Sequence, residues 1–128
     1  MAASSQKPPV RDFDTIFKKL RGILLSHAEK FVVSVDKPDH YCLAVSFSPK
    51  FRKSFPIAWV KVSKSYVGFH FMPIYFAPSL KKSLSAKLKA RMHGKSCFNF
   101  KTSDPVLFEE LDRLAATGFA LSKNARVL

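Results

Sequence analysis

Acidic residues are missing from the middle of the chain. Residues 40–103 contain twelve Lys and Arg and no Asp or Glu, in a sequence of 128 residues whose formal net charge is +13. Hard cations such as Ca²⁺ need clustered oxygen ligands, so this segment is a poor host for them. Its charge instead attracts polyanions over long distances. We expect either an anionic partner or a basic surface without a ligand.

Long apolar runs are also absent. The longest uncharged apolar stretch, residues 67–80, is interrupted by glycine, histidine and two prolines, whereas a membrane-spanning helix needs about 18 apolar residues in a row. The N-terminal MAASSQKPPVR lacks the apolar region of a secretory signal. We therefore expect no membrane association and a cytoplasmic location. Residues 1–10 are predicted to form a flexible arm, and residues 11–128 a single domain.

Cysteine is scarce, and the two that occur, Cys42 and Cys97, fall in predicted strands. We expect two buried free thiols in a reducing compartment rather than a disulfide. A zinc site needs three or four converging ligands, and the sequence offers only the pairs His93 with Cys97 and His40 with Cys42. We predict no metal and no cofactor.

Phenylalanine is abundant, providing thirteen of the seventeen aromatic residues, and this composition is typical of a folded domain rather than a disordered one. RDFDTIFKKLRGILLSHAEK has the apolar spacing of an amphipathic helix, with Asp12 or Asp14 able to cap its start. FVVSVD and HYCLAVSF flank a KPD turn and predict a hairpin. A second hairpin, FPIAWVKV with SYVGFHFM, is predicted to turn at Ser63 and Lys64.

The second half of the sequence predicts a short helix, a strand and a long helix. PIYFAP leaves the sheet, because Pro73 cannot donate to a central ladder. SAKLKARMH is predicted to be a helix capped by Ser85 and followed by Gly94, and SCFNFK a strand. DPVLFEELDRLAATG is a helix capped by Asp104 and ended by Gly118. The fold is predicted to be α+β, an antiparallel sheet of about five strands with the N- and C-terminal helices on one face.

Three segments, FPIAWVKVSKSYVGFHFMPIY, LKARMHGKSCFNFK and DPVLFEELDRL, resemble the YdhG-like domains of unknown function. These are small bacterial proteins with a frataxin-like α-β-α layout, and the resemblance covers roughly residues 10–118. It implies the fold but not the function, because one fold hosts many functions. Some relatives are described as iron-chaperone-like, an idea that rests on acidic ridges in frataxins. This chain differs, because Lys18, Lys19 and Arg21 follow the two acidic residues of its first helix.

The GKS sequence at residues 94–96 invites comparison with a nucleotide-binding P-loop. That motif requires glycine five positions before Gly94, where Lys89 stands, and it runs from a strand into a helix, the reverse of the order predicted here. A P-loop is therefore excluded. Two alternatives remain: a small anion nest formed by backbone N–H groups beside Lys95 and Arg91, or a plain helix C-cap.

One face of the predicted sheet is polar. Alternate residues of a strand share a face, so the Phe residues of VGFHF and SCFNFK point to the core, while Tyr66, His70, Cys97 and Asn99 point away. An outward face with one aromatic residue and one histidine is a thin stacking platform, and a merely solvated face is the alternative. The predicted ligand-binding residues are Tyr66, His70, Tyr75, Arg91, Lys95 and Asn99.

Two main functions follow. The first is a non-enzymatic module that binds an anionic partner, either nucleic acid or a small anionic ligand. The second is a small-molecule-binding protein or enzyme that uses a pocket on the polar face, in which Cys97 and His70 would need to be in hydrogen-bond contact, with Asn99 as a third group. A frataxin-like iron chaperone ranks last because of the basic charge. We predict no catalytic residue, and the sequence leaves the oligomeric state open.

Overall fold

The computed structural model describes residues 12–48 and 53–125, so the predicted arm lies outside the described residues. The helices are α1 (Phe13–Leu25), α2 (Pro73–Phe76), α3 (Pro78–Lys82), α4 (Ala86–Lys89) and α5 (Pro105–Ala125). The strands are β1 (Val32–Lys37), β2 (His40–Ser48), β3 (Lys53–Val62), β4 (Val67–Phe71), β5 (Met92–His93) and β6 (Cys97–Phe100). A 3₁₀ turn, Ala28–Lys30, joins α1 to β1.

The strands form one antiparallel sheet in the order β1-β2-β3-β4-β6-β5. Each of the five helices contributes buried side chains to a single core cluster on one face of this sheet. The predicted α+β class is thus confirmed, with six strands among the described residues where about five were expected. A specifically frataxin-like layout stays a prediction.

Both predicted hairpins are present. β1 turns into β2 through Lys37-Pro38-Asp39, and β3 turns into β4 through residues 63–66, with the Ser63 N–H donating to the Tyr66 oxygen at 2.8 Å. The side chains that the sequence alternation predicts to point inward are buried in the structure. The core residues of β4 and β6 are Val67, Phe69, Phe71, Phe98 and Phe100.

Helix α1 begins as predicted, because the Asp12 carboxylate accepts the Thr15 N–H at 3.2 Å. Its apolar stripe is buried against the sheet. On the exposed side, Arg21 forms an ion pair with Asp36 of β1 at 3.2 Å, and its guanidinium lies 4.7 Å from the ring centroid of Tyr41. A single arginine therefore links α1 to both strands of the first hairpin.

The segment between β4 and β6 differs from its prediction. The helix capped by Ser85 ends at Lys89, and Met92–His93 forms strand β5 against β6. Gly94 has φ +82°, a left-handed conformation that glycine adopts without strain. It closes a tight turn between the two strands. The chain leaves the helix early because antiparallel pairing with β6 satisfies its backbone groups.

Helix α4 is fixed to α5 by a carboxylate. The Ser85 hydroxyl accepts the Leu88 N–H at 3.1 Å, as predicted for a cap. The same hydroxyl donates to Glu110 of α5 at 2.7 Å, and the Ser85 N–H donates to the other Glu110 oxygen at 2.8 Å. Glu110 is thus engaged by two donors of the same residue.

Helix α5 continues past Gly118, where the sequence predicted its end. It starts as predicted, with Asp104 accepting the Leu107 N–H at 3.2 Å, and it runs to Ala125. A Cβ built on Gly118 would overlap the ring of Phe71, which is fully buried. This glycine therefore allows the helix to approach the sheet closely and does not terminate it.

We expect Gly118→Ala to lower the free energy of unfolding. Overpacking costs about 1–3 kcal/mol, which exceeds the gain of about 1 kcal/mol that alanine brings to a helix interior. Gly22 of α1 is the matched control, because nothing lies within 4 Å of a Cβ built there, and Gly22→Ala should be stabilising. Urea denaturation measures both changes. Equal stabilisation by the two substitutions would mean that Phe71 does not restrict the approach of α5.

Candidate polar sheet-face site

The sheet face opposite the core carries two cross-strand rows of side chains, which we call the open face. Residues paired across neighbouring strands lie on the same side, so the register defines each row. The first row consists of Val35, Cys42, Trp59, His70, Cys97 and His93. The second consists of Lys37, His40, Lys61, Gly68 and Asn99. Neither row contains a carboxylate.

Trp59 and His70 stack on each other near the middle of the open face. Their ring centroids are 4.5 Å apart and their planes differ by 11°. Burial lowers the pKa of His70, and the positive charges of His40 and Lys61 act in the same direction, so the imidazole is neutral at neutral pH. Sequence reasoning missed Trp59, although the alternation of FPIAWVKV places it opposite the inward-facing Val60.

Three polar groups meet beside this stack. The Cys97 sulfur lies 3.4 Å from His70 Nε2 and 3.2 Å from Asn99 Oδ1. With the thiol proton donated to Asn99, a proton on Nε2 can be donated to the sulfur. Gly68 lies beside all three groups, and a Cβ built on it would be in ordinary van der Waals contact with the imidazole nitrogen, at 3.4 Å, and with the amide oxygen, at 3.5 Å. The predicted outward direction of His70, Cys97 and Asn99 is confirmed.

The protonation states do not favour nucleophilic chemistry at this cluster. Burial raises the pKa of the Cys97 thiol from 9.0 to about 11, and His70 is neutral as well, so no thiolate–imidazolium pair forms at neutral pH. An activated cysteine also needs a third group that orients its base. Here Asn99 contacts the thiol instead of the imidazole. The contact between Cys97 and His70 that the enzyme alternative requires is present. The raised pKa of the thiol and the lowered pKa of the imidazole oppose nucleophilic chemistry there.

The remaining predicted site residues lie outside the two rows of the open face. Tyr66 is in the β3–β4 turn, and Tyr75 is in α2, 52% exposed, with its ring 5.5 Å from Phe76. Arg91 precedes β5 and Lys95 is in the β5–β6 turn, both exposed. In the part of the chain that the structure describes, no side-chain hydrogen bond, ion pair or ring contact joins these four residues to the cluster.

Exposed cations are concentrated in the chain from β3 to the start of α5. Nine Lys and Arg with described side chains lie between residues 53 and 103: Lys61, Lys64, Lys81, Lys82, Lys87, Lys89, Arg91, Lys95 and Lys101. All nine are exposed, and none forms a salt bridge with a described residue, since the ion pairs of residues 12–48 and 53–125 involve Lys18, Arg21 and Arg113. We call the six from residues 81–95 the basic segment, which includes the edge strand β5.

The described residues form neither a metal-binding cluster nor a membrane-spanning helix. Within the described ranges, no group of three or more His, Cys, Asp or Glu could hold a metal ion. None of the helices described has the length and apolar character needed to cross a bilayer. Cys42 and Cys97 are free thiols, with β3 and β4 lying between their strands.

Comparison with protein-family models, with curated proteins and with solved structures gives no match. The resemblance to the YdhG-like domains therefore stays a prediction. The function has to be inferred from the chemistry of the open face and the basic segment.

We expect Cys97 to react slowly with thiol reagents. In a Cys42→Ser variant, which leaves Cys97 as the only thiol, a pKa of about 11 instead of 9.0 reduces the thiolate fraction about 100-fold at neutral pH, and burial slows the reaction further. The rate of reaction with iodoacetamide, compared with the same variant in concentrated urea, measures this. A native rate equal to or above the unfolded rate would support the enzyme alternative.

The stability of the protein should be greatest between about pH 6.5 and pH 9. Burial lowers the pKa values of His27, His40 and His70, so the unfolded chain takes up protons first and stability is lost as the pH falls below 6.5. The raised pKa of Cys97 affects the stability at alkaline pH. The unfolded thiol ionises first, and stability is lost as the pH rises from 9.0 towards about 11.

Thermal melts across this range, repeated on Cys97→Ser, measure the alkaline contribution. The variant should lose less stability above pH 9 than the native chain, but some loss should remain because burial also raises the pKa of Cys42. Identical alkaline profiles in the two proteins would show that Cys97 does not cause the loss.

Proposed function

We propose that the protein is a non-enzymatic binding module whose anionic partner is nucleic acid. The observation that carries this proposal is the set of nine exposed cations without a carboxylate partner in the described part of the chain. Like charges so concentrated raise the local potential by several kT. Phosphates neutralise them, and the release of condensed counterions from the nucleic acid drives binding.

The open face adds to the same surface charge. Its two rows contain Lys37 and Lys61 and no carboxylate. An antiparallel sheet needs only one buried face, so the exposed face is available for a ligand. The charge of the open face and that of the basic segment have the same sign, and the phosphates of a polyanion can neutralise either.

A polymer explains the distribution of charge better than a small anion does. A small ligand requires a concave site with a few converging polar groups. His70 and Asn99 both contact the Cys97 thiol. Among the described residues, Arg91 and Lys95 form no side-chain hydrogen bond or ion pair with that cluster. Nucleic acid, by contrast, presents phosphates at regular intervals along its length.

The second candidate is a small-molecule-binding protein or enzyme, favoured by one contact. The Cys97 sulfur and His70 Nε2 are 3.4 Å apart, within reach of proton transfer. Burial opposes this proton transfer, because burial raises the pKa of the thiol to about 11 and lowers that of the imidazole.

We propose the cytoplasm as the location for either function, and the two free thiols support this.

Binding of a fluorescein-labelled nucleic acid, measured by anisotropy, tests the proposal. We expect binding at about 50 mM salt and a large loss of affinity at about 200 mM, because each phosphate contact releases counterions. Lys87→Glu/Lys89→Glu should weaken binding about 10-fold or more and make the salt dependence less steep. The absence of binding to any DNA or RNA at the lower salt concentration would refute the proposal.

The matched control is Lys19→Glu/Lys30→Glu, which changes the net charge equally. Both control residues are exposed and lie outside the basic segment. A long-range effect of net charge alone would weaken binding to the same extent in both double variants. We expect the control to change the affinity by less than about 3-fold, since it removes no phosphate contact.

A further inference from the structure

Trp59 has no role in the hydrophobic core. It lies half-buried in the middle of the six-stranded sheet, on the open face, and it belongs neither to the core cluster nor to the partly buried residues packed against it. Tryptophan has the largest apolar surface of any side chain and is normally used for packing or for an interface. Its indole instead stacks on His70, with ring centroids 4.5 Å apart.

The surroundings of Trp59 suit a nucleobase. His70 covers one side of the indole, while the cross-strand neighbour on the other side is Cys42, a small residue. Lys61 lies two residues along the same strand and on the same face, about 7 Å away, close enough to reach a phosphate next to a stacked base. Neither row of the open face contains a carboxylate that would repel that phosphate.

Asn99 provides a hydrogen-bond donor on the same face, two strands away from Trp59. Its Oδ1 accepts from the Cys97 thiol at 3.2 Å, while its amide Nδ2 makes no hydrogen bond to any residue that the structure describes. An amide NH₂ group can donate to a base oxygen or ring nitrogen or to a phosphate. Asn99 is also held in place, because its main-chain N–H donates to the Arg91 oxygen at 2.9 Å.

We propose that the nucleic acid bound by this protein is single-stranded and that one of its bases stacks on Trp59. This inference rests on the proposed function and names the ligand class for the same surface. A duplex keeps its bases stacked on each other and offers a protein mainly its backbone and groove edges. Unpaired bases, in contrast, expose their faces and stack on aromatic side chains irrespective of sequence. The lysines supply affinity, and Trp59 supplies the preference for a single strand.

The fluorescence of Trp59 tests this proposal directly, since the chain has one tryptophan. We expect a single strand of about 16 nucleotides to quench this fluorescence on binding. A duplex of the same sequence should bind through the lysines and leave the emission nearly unchanged. Inorganic polyphosphate, which has charge but no bases, is the control and should likewise cause little quenching.

Substitution of Trp59 gives a second measurement, by anisotropy with labelled strands. Trp59→Leu should weaken binding of the single strand about 10-fold, while binding of the duplex stays the same. Trp59→Tyr keeps an aromatic ring and should retain most of the affinity. Thermal melts establish that both variants are folded, and the duplex affinity provides a further check on the folded surface.

The outcomes separate this inference from the proposed function. Equal affinity for single strand and duplex, with no effect of Trp59→Leu, would overturn the stacking contact and leave the basic module in place. Quenching by polyphosphate as strong as that by the single strand would show that Trp59 responds to charge alone, and would also overturn it. Failure of every nucleic acid to bind at about 50 mM salt would overturn both proposals.

Discussion

Burial of the sheet on one side determines where every other group of this protein lies. The phenylalanines of β4 and β6 enter the core beneath α1 and α5, and the alternation of a strand then forces their neighbours to the opposite face. His70, Cys97 and Asn99 are outward-facing for this reason. The cluster they form therefore depends on the hydrophobic pattern of the same strands, and a shift of one residue in register would bury these polar groups.

The local features of the fold could be read from the sequence. Both hairpins, the caps at Asp12, Ser85 and Asp104, and the inward-facing phenylalanines depend on patterns within a few residues of the chain. So does the outward direction of His70. Each of these signals has a local physical cause, a free N–H group at a helix start or the alternation of a pleated strand.

The features that sequence analysis missed depend on residues far apart in the chain. Strand β5 has two residues, and it exists because β6 provides its hydrogen-bond partner after the turn at Gly94. The sequence predicts that Gly118 ends its helix, whereas its role is to admit the ring of Phe71, which comes from a distant strand. Trp59 could have been placed on the outward face from its own strand, but its stacking on His70 depends on the register between β3 and β4.

The basic segment is attached to α5 by hydrogen bonds between Ser85 and Glu110, and its lysines take no part in this attachment. The carboxylate that holds this segment to α5 bonds to a hydroxyl and a main-chain N–H, both neutral, and to no lysine. Dissolved ions screen attraction between charged partners far more than they weaken bonds to neutral donors. In the proposed complex, an increase in ionic strength would therefore detach the polyanion while the cations stay in their positions, and the surface could bind again without refolding.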